Sequence, residues 1–206
     1  VGLSALSSTA KIMGQTTVPL DIVLVLDQSG SMADNFDGNG SRQSAMKEAV
    51  NNFIDAVAKK YSTDADHRMA IVTFGSGART LQGWTTVNPA GQSTLKGKIN
   101  GLNSPSGATR VDEGMKQAET LMGSGYNYTG ANTQWQKVVI VFTDGVPTTN
   151  TDFDTGVATN AIVSAKNLKD GGATVYTIGI FGGANPSQLH DSSVNGNVGD
   201  KWEGDR

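Results

Sequence analysis

A chain of 206 residues is long enough for one α/β domain with a substantial core, and its net charge of −3 comes without any basic stripe that would suit nucleic acid. The absence of cysteine excludes a disulfide framework, a thiolate zinc site and a cysteine nucleophile together. The longest apolar run, Ile22 to Leu26, is far short of the roughly 20 residues of a membrane-spanning helix, so direct membrane insertion is not expected.

Residues 1–18 are rich in Ser and Thr and read as an extended lead-in or linker, leaving 19–206 as the domain. The first residues lack the charged start and apolar stretch of a signal peptide, and the chain stops on Trp202-Glu203-Gly204-Asp205-Arg206 without a closing element. It is therefore expected to be part of a longer protein. Ile22-Val23-Leu24-Val25-Leu26 is apolar without alternation, the mark of a strand buried on both faces. From Ser41 to Lys60, the apolar positions Met46, Val50, Phe53, Ile54 and Val57 trace one helix face. Met69 to Phe74 is a second strand, and Gly75-Ser76-Gly77 turns it back into Leu81 to Val87, giving an antiparallel edge that includes Trp84 as a core side chain.

Leu95, Ile99 and Leu102 repeat the helical spacing over a short stretch. Val111, Met115, Ala118, Leu121 and Met122 repeat it again until Gly123 to Gly125 ends the helix. Val138 to Phe142 and Thr174 to Phe181 resemble the first strand. Between them a helix runs from Asp154 to Lys169, with Val157, Ala161, Ala165 and Leu168 inward and Gly171-Gly172 as its stop. Strands alternating with helices predict an α/β, doubly wound, mostly parallel sheet with one antiparallel edge strand and helices on both faces.

In such sheets ligands bind beyond the carboxyl ends of the strands. The loops there carry Asp27-Gln28-Ser29-Gly30-Ser31, Ser106-Gly107-Ala108-Thr109 and Thr143-Asp144-Gly145. Asp27, Ser29, Ser31, Thr109 and Asp144 offer two carboxylates and three hydroxyls. These hard oxygen donors favour Mg²⁺, Mn²⁺ or Ca²⁺ over zinc. Alternate residues of an extended turn point the same way, so Asp27, Ser29 and Ser31 can face one point while Gly30 lets the chain turn closely. Neutral hydroxyls donate less charge than carboxylates, which leaves a cation able to accept one more anionic ligand.

Asp27-Gln28-Ser29-Gly30-Ser31-Met32, preceded by Pro19 to Leu26, resembles the first motif of von Willebrand factor type A (vWA) domains. Thr109 and Thr143-Asp144-Gly145 are similar to the second and third. Together they resemble a complete metal-ion-dependent adhesion site over roughly residues 19–190. The resemblance implies a vWA fold. In it Ser29, Ser31 and Thr109 ligate a divalent cation, Mg²⁺ first, by their hydroxyls. Asp27 and Asp144 act through water or by orienting the serines, and a partner's carboxylate completes the shell. It also implies a cell-surface, wall or pilus adhesion module of a multidomain protein, most like those of Gram-positive tip pilins, that binds a host or matrix macromolecule. The resemblance also implies a final helix, which is expected to lie beyond Arg206.

Other readings stand beside these. Asp-x-Ser-x-Ser alone can be an Asx-turn leading into a helix, and Thr109-Arg110-Val111-Asp112 has capping-box spacing, so Thr109 can cap its helix. Asp34, Asp37 and Asn39 read as a solvated loop beside the site, although Asp37, Asn39 and Ser41 have calcium-loop spacing with Arg42 where the EF-hand glycine belongs. Asp152 and Asp154 read as surface or helix-capping residues. His67 and His190 read as surface or capping residues, and Trp84, Trp135 and Trp202 are too dispersed for a sugar platform. Asn39-Gly40-Ser41 and Asn127-Tyr128-Thr129 match glycosylation sequons, and Lys11 is a candidate for an isopeptide bond only by analogy with pilins. Two other functions compete with adhesion: an intracellular vWA domain recruiting a substrate to an ATPase or chelatase, and a metal-dependent phosphatase with Asp27 as nucleophile. The phosphatase lacks a general acid at the second position after Asp27, where Ser29 stands.

Overall fold

The strand that the sequence marks as most apolar lies at the centre of the sheet. A computed structural model describes residues 18–36, 38, 40–60, 67–123, 135–150 and 152–180. Its strands are β1 (Leu20–Asp27), β2 (Arg68–Phe74), β3 (Ala78–Thr86), β4 (Gln136–Thr143) and β5 (Ala173–Gly179), in the order β3-β2-β1-β4-β5. Every residue of β1 from Asp21 to Asp27 is buried. Only the β2–β3 pair is antiparallel, as the Gly75-Ser76-Gly77 turn predicts. The fold is the expected doubly wound α/β architecture.

The helices are α1 (Arg42–Ala58), α2 (Pro89–Asn100), α3 (Val111–Met122) and α4 (Thr155–Asp170). Because side chains alternate across a strand, β1 feeds two cores. Ile22, Leu24 and Leu26 pack with Met46, Val50 and Ile54 of α1 and Leu95 and Ile99 of α2. Val23 and Val25 face the other way, onto Met115, Ala118 and Met122 of α3 and Leu168 of α4. Three helix starts carry the expected capping chemistry. The Ser41 hydroxyl accepts from the Ser44 N–H, and Asn88 Oδ1 accepts from the Gly91 N–H. Asp154 Oδ1 accepts from the N–H groups of Gly156 and Val157.

Register decides which loops meet. In the β1–β4 pair Leu26 stands opposite Phe142, and in the β1–β2 pair Asp27 stands opposite Phe74. The three strands therefore end level, and the segments after Asp27, Phe74 and Thr143 open on one rim. The opposite rim is closed by a structural cluster. Buried Asp21 accepts two hydrogen bonds from Arg68 at 2.9 and 2.8 Å, and the guanidinium lies 3.9 Å from the Trp135 ring centroid.

Three expectations need correction. The 174–181 run is not a strand buried on both faces: β5 is the sheet edge among the described residues, and Tyr176 and Ile178 are exposed. Apolar composition alone does not distinguish an edge from a centre. His67 is buried rather than superficial, and its Nδ1 accepts the backbone N–H of Leu20 at 3.1 Å. Trp84 is half-buried against the α3-side core rather than inside it. Lys11, Asp37, Asn39, Asn127, His190 and Trp202 lie outside the described residues, as does all of the lead-in but Val18. No helix among the described residues is long and apolar enough to cross a membrane.

Candidate metal centre

The rim at the strand ends is built by backbone hydrogen bonds between loops that are distant in sequence. Gln28 N–H donates to the Phe74 carbonyl (2.7 Å) and Ser106 N–H to the Gln28 carbonyl (2.8 Å), while Gly30 N–H donates to the Gly107 carbonyl (3.0 Å). Gly107 has φ +89°, a left-handed conformation that costs a side-chain-bearing residue energy. A further pair fixes Thr109. Its N–H donates to Thr148 Oγ1 (3.1 Å) and its carbonyl accepts from the Thr148 N–H (3.1 Å). Thr109 is thereby held beside the segment that follows β4.

All five expected residues come to this rim. Asp27 is fully buried at the end of β1. Its Oδ1 accepts the Ser29 N–H and its Oδ2 accepts the Thr143 hydroxyl, both at 2.7 Å. Burial pushes the Asp27 carboxyl above the ordinary aspartate range; the bonds from Ser29 and Thr143 pull it down, and the Asp144 charge adds to the rise. Ser29 Oγ and Ser31 Oγ lie 3.2 Å apart. Ser31 Oγ also donates to Asp144 Oδ1 at 2.9 Å. Thr109 Oγ1 and Ser31 Oγ flank Gly145, since a Cβ built on Gly145 would lie 3.6 and 3.7 Å from them.

The capping alternative for Thr109 is not realised. The residue at the cap of α3 is Arg110, with no side-chain cap bond, and Asp112 is engaged by the Arg110 guanidinium at 2.9 Å. Thr109 Oγ1 makes no hydrogen bond among the described residues, so its lone pairs are uncommitted. Asp154 does cap α4, and Asp152 is exposed.

The donor set fits a hard divalent ion. Neighbouring oxygens of an octahedral shell at Mg²⁺ distances stand about 3.0 Å apart, and those around the larger Ca²⁺ stand farther. The 3.2 Å between the two serine oxygens falls in that interval. No group of three or more His, Cys, Asp or Glu side chains is placed to hold a metal among the described residues.

One participant was not anticipated. Arg42, in the first turn of α1, donates from Nη1 to Asp144 Oδ2 at 2.7 Å and lies 3.5 Å from Asp34. Asp144 thus divides its oxygens between Ser31 and Arg42. Thr148 also escaped sequence reading, and Thr143 was read only as part of its motif and given no role, because a threonine that holds another group in place has no spacing signature. Beside the rim, a groove of about 290 Å³ runs past Gln28, Ser76, Arg79, Asn103 and Ser104. A larger cavity, about 350 Å³ between α3 and α4, includes Lys137 and Ala173 at the starts of β4 and β5, so it lies at the other end of the sheet.

Comparison with known proteins agrees with this architecture. The family model described as "von Willebrand factor type A domain" matches residues 21–199. The collagen alpha-1(VI) chain of Gallus gallus is 26% identical over 177 residues, covering 83% of this chain and 16% of that one. Among solved structures, the vWF domain of the type V pili tip protein Mfa5 from Porphyromonas gingivalis is 26% identical with a TM-score of 0.52. The match covers 65% of this chain and 40% of that one. Proximal thread matrix protein 1 from the mussel byssus is 25% identical with a TM-score of 0.59, over 80% of this chain and 38% of that one. The chain thus spans well under half the length of each of these relatives.

Proposed function

The chain belongs to the von Willebrand factor type A domain family, and from that premise we propose that it is a non-catalytic adhesion module of an extracellular protein, binding a protein or matrix partner through a divalent cation. The observation that carries this reading is the convergence of Ser29, Ser31 and Thr109, three hydroxyls from two separate loops, beside Asp27 and Asp144. A cation bound there, Mg²⁺ foremost and Mn²⁺ or Ca²⁺ by the same chemistry, supplies a coordination position for an acidic side chain of the partner.

The protein's own residues do the positioning. Asp27 fixes the turn through the Ser29 N–H and is itself held by Thr143. Asp144 orients the Ser31 hydroxyl. The groove beside the rim receives the chain that flanks the partner's acid. Among the described residues Arg79 is the one charged residue lining it, so it favours an acidic neighbour. A phosphatase role is disfavoured because Asp27 is fully buried, away from an incoming phosphate ester, and Ser29 stands where a general acid is needed.

An extracellular setting accords with the pilus-tip, byssal and collagen relatives. The test is a panel of immobilised matrix proteins probed in Mg²⁺ and in EDTA. Binding that disappears on chelation and returns with Mg²⁺ is the expected result; binding indifferent to chelation contradicts the proposal.

A further inference from the structure

Arg42 breaks two local rules at once. It stands at the first position of α1, where the helix macrodipole disfavours a cation, and no acidic residue shares that turn. Its Nε is buried without a hydrogen-bond partner among the described residues, a cost usually avoided. Violations of this kind, when uncompensated by packing, mark functional positions. What offsets them here is the 2.7 Å bond from Nη1 to the buried carboxylate of Asp144. The backbone N–H of Arg42 is also anchored, donating to the Asp34 carbonyl at 2.9 Å. Arg42 is therefore held beside the site by the Asp34 carbonyl and the start of α1 together.

We infer that Arg42 is a built-in counter-ion that sets how tightly the site holds its cation. This rests on the proposed metal-binding reading and deepens it. Asp27 and Asp144 bring two negative charges, and Arg42 cancels one of them through direct contact with Asp144. A divalent ion then meets a donor set of net charge −1 with a fixed positive group one carboxylate away. Its binding is weakened by that repulsion, and it stays more electrophilic toward an incoming carboxylate. Arg42 also keeps Asp144 from turning both oxygens to the ion, since Oδ2 is occupied by Nη1 while Oδ1 holds Ser31. Arg42 is in this sense a positioning residue: it acts on the cation through Asp144.

The test uses Mn²⁺ alone as probe, titrated calorimetrically into the intact chain and into Arg42→Gln, Arg42→Met and Arg42→Lys, with circular dichroism to verify folding. Removing the charge is expected to tighten Mn²⁺ about tenfold in both neutral variants, the scale for deleting one like charge beside a divalent ion at a partly solvated site. Arg42→Lys keeps the charge and is expected to stay within about threefold of the parent. The neutral variants should also show a larger Mn²⁺-induced rise in Tm, because the ion relieves a buried Asp144 that has lost its partner. If a folded neutral variant binds Mn²⁺ no more tightly than the parent, the counter-ion role is overturned while the metal reading stands. If the parent itself binds no Mn²⁺, both fall.

Discussion

Truncating Asp144 separates what the site contributes to the fold from what it contributes to binding. The Asp144 side chain is fully buried, and Asp144→Ala removes acceptors from Ser31 (2.9 Å) and Arg42 (2.7 Å). Breaking a fully buried ion pair by removing one partner costs about 3–5 kcal/mol. Arg42 is 23% exposed and has Asp34 at 3.5 Å, so water and a second acid recover part of that. A loss of about 1–3 kcal/mol remains. For a domain of this size the loss lowers Tm by roughly 2–12 °C in EDTA. In Mg²⁺ the difference should widen. An ion present at 100 times its Kd stabilises the parent by about 2.7 kcal/mol, and the variant should gain almost nothing. Thermal unfolding of both proteins in EDTA and across a Mg²⁺ series reads both quantities. An Asp144→Ala protein that keeps the Mg²⁺-dependent rise refutes the site assignment, and one that is unfolded at 25 °C in EDTA assigns Asp144 to the fold instead.

Gly145→Ala should fold normally, since its methyl meets Thr109 and Ser31 only at ordinary contact distances of 3.6–3.7 Å. It should nonetheless weaken Mg²⁺-dependent binding by placing an apolar group beside those hydroxyls; unchanged binding by surface plasmon resonance contradicts the geometry. Gly91→Ala should cost about 3 kcal/mol or more in urea unfolding, because its Cβ would lie 1.8 Å from the Thr86 carbonyl oxygen, a backbone atom with little freedom to move. Acidification should weaken Mn²⁺ binding as the pH falls through the raised Asp27 value, that is, starting above 3.8. A calorimetric titration series between neutral and mildly acidic pH checks this, and flat affinity counts against it. The stability of the metal-free chain has two opposed pH terms. Asp27, with its folded pKa raised, contributes less stability as pH rises from 3.8 through that value. Asp112 and Asp154, with pKa values lowered, contribute stability above 3.8 that is lost as pH falls through their folded values.

The sheet was readable in the sequence because central parallel strands have no polar face. Ile22–Leu26 and Met69–Phe74 could sit only between two helical layers, and the 3–4 spacing in α1 and α3 supplied those layers. That Asp27, Ser29, Ser31, Thr109 and Asp144 meet on one rim was readable because each lies in a segment after a strand or just before a helix at the carboxyl ends of the sheet. Edge position was not readable. Val175, Ile178 and Ile180 are as apolar as residues of β1, yet among the described residues β5 is the edge of the sheet and Ile178 is exposed. Arg42 was legible only as a misfit to a calcium loop. Its bond to Asp144 spans 102 positions in sequence, a separation that no local pattern reveals. His67 was misjudged for a similar reason, since its partner is a backbone N–H 47 residues away.

The cation itself can be located in crystals grown in Mn²⁺ and measured at the manganese absorption edge. The expectation is one strong anomalous peak bonded to the hydroxyl oxygens of Ser29 and Ser31 at about 2.1–2.2 Å, with Asp27 and Asp144 directly beside it. A rim with no anomalous density, its serine and threonine hydroxyls turned to protein or solvent partners instead, would contradict it.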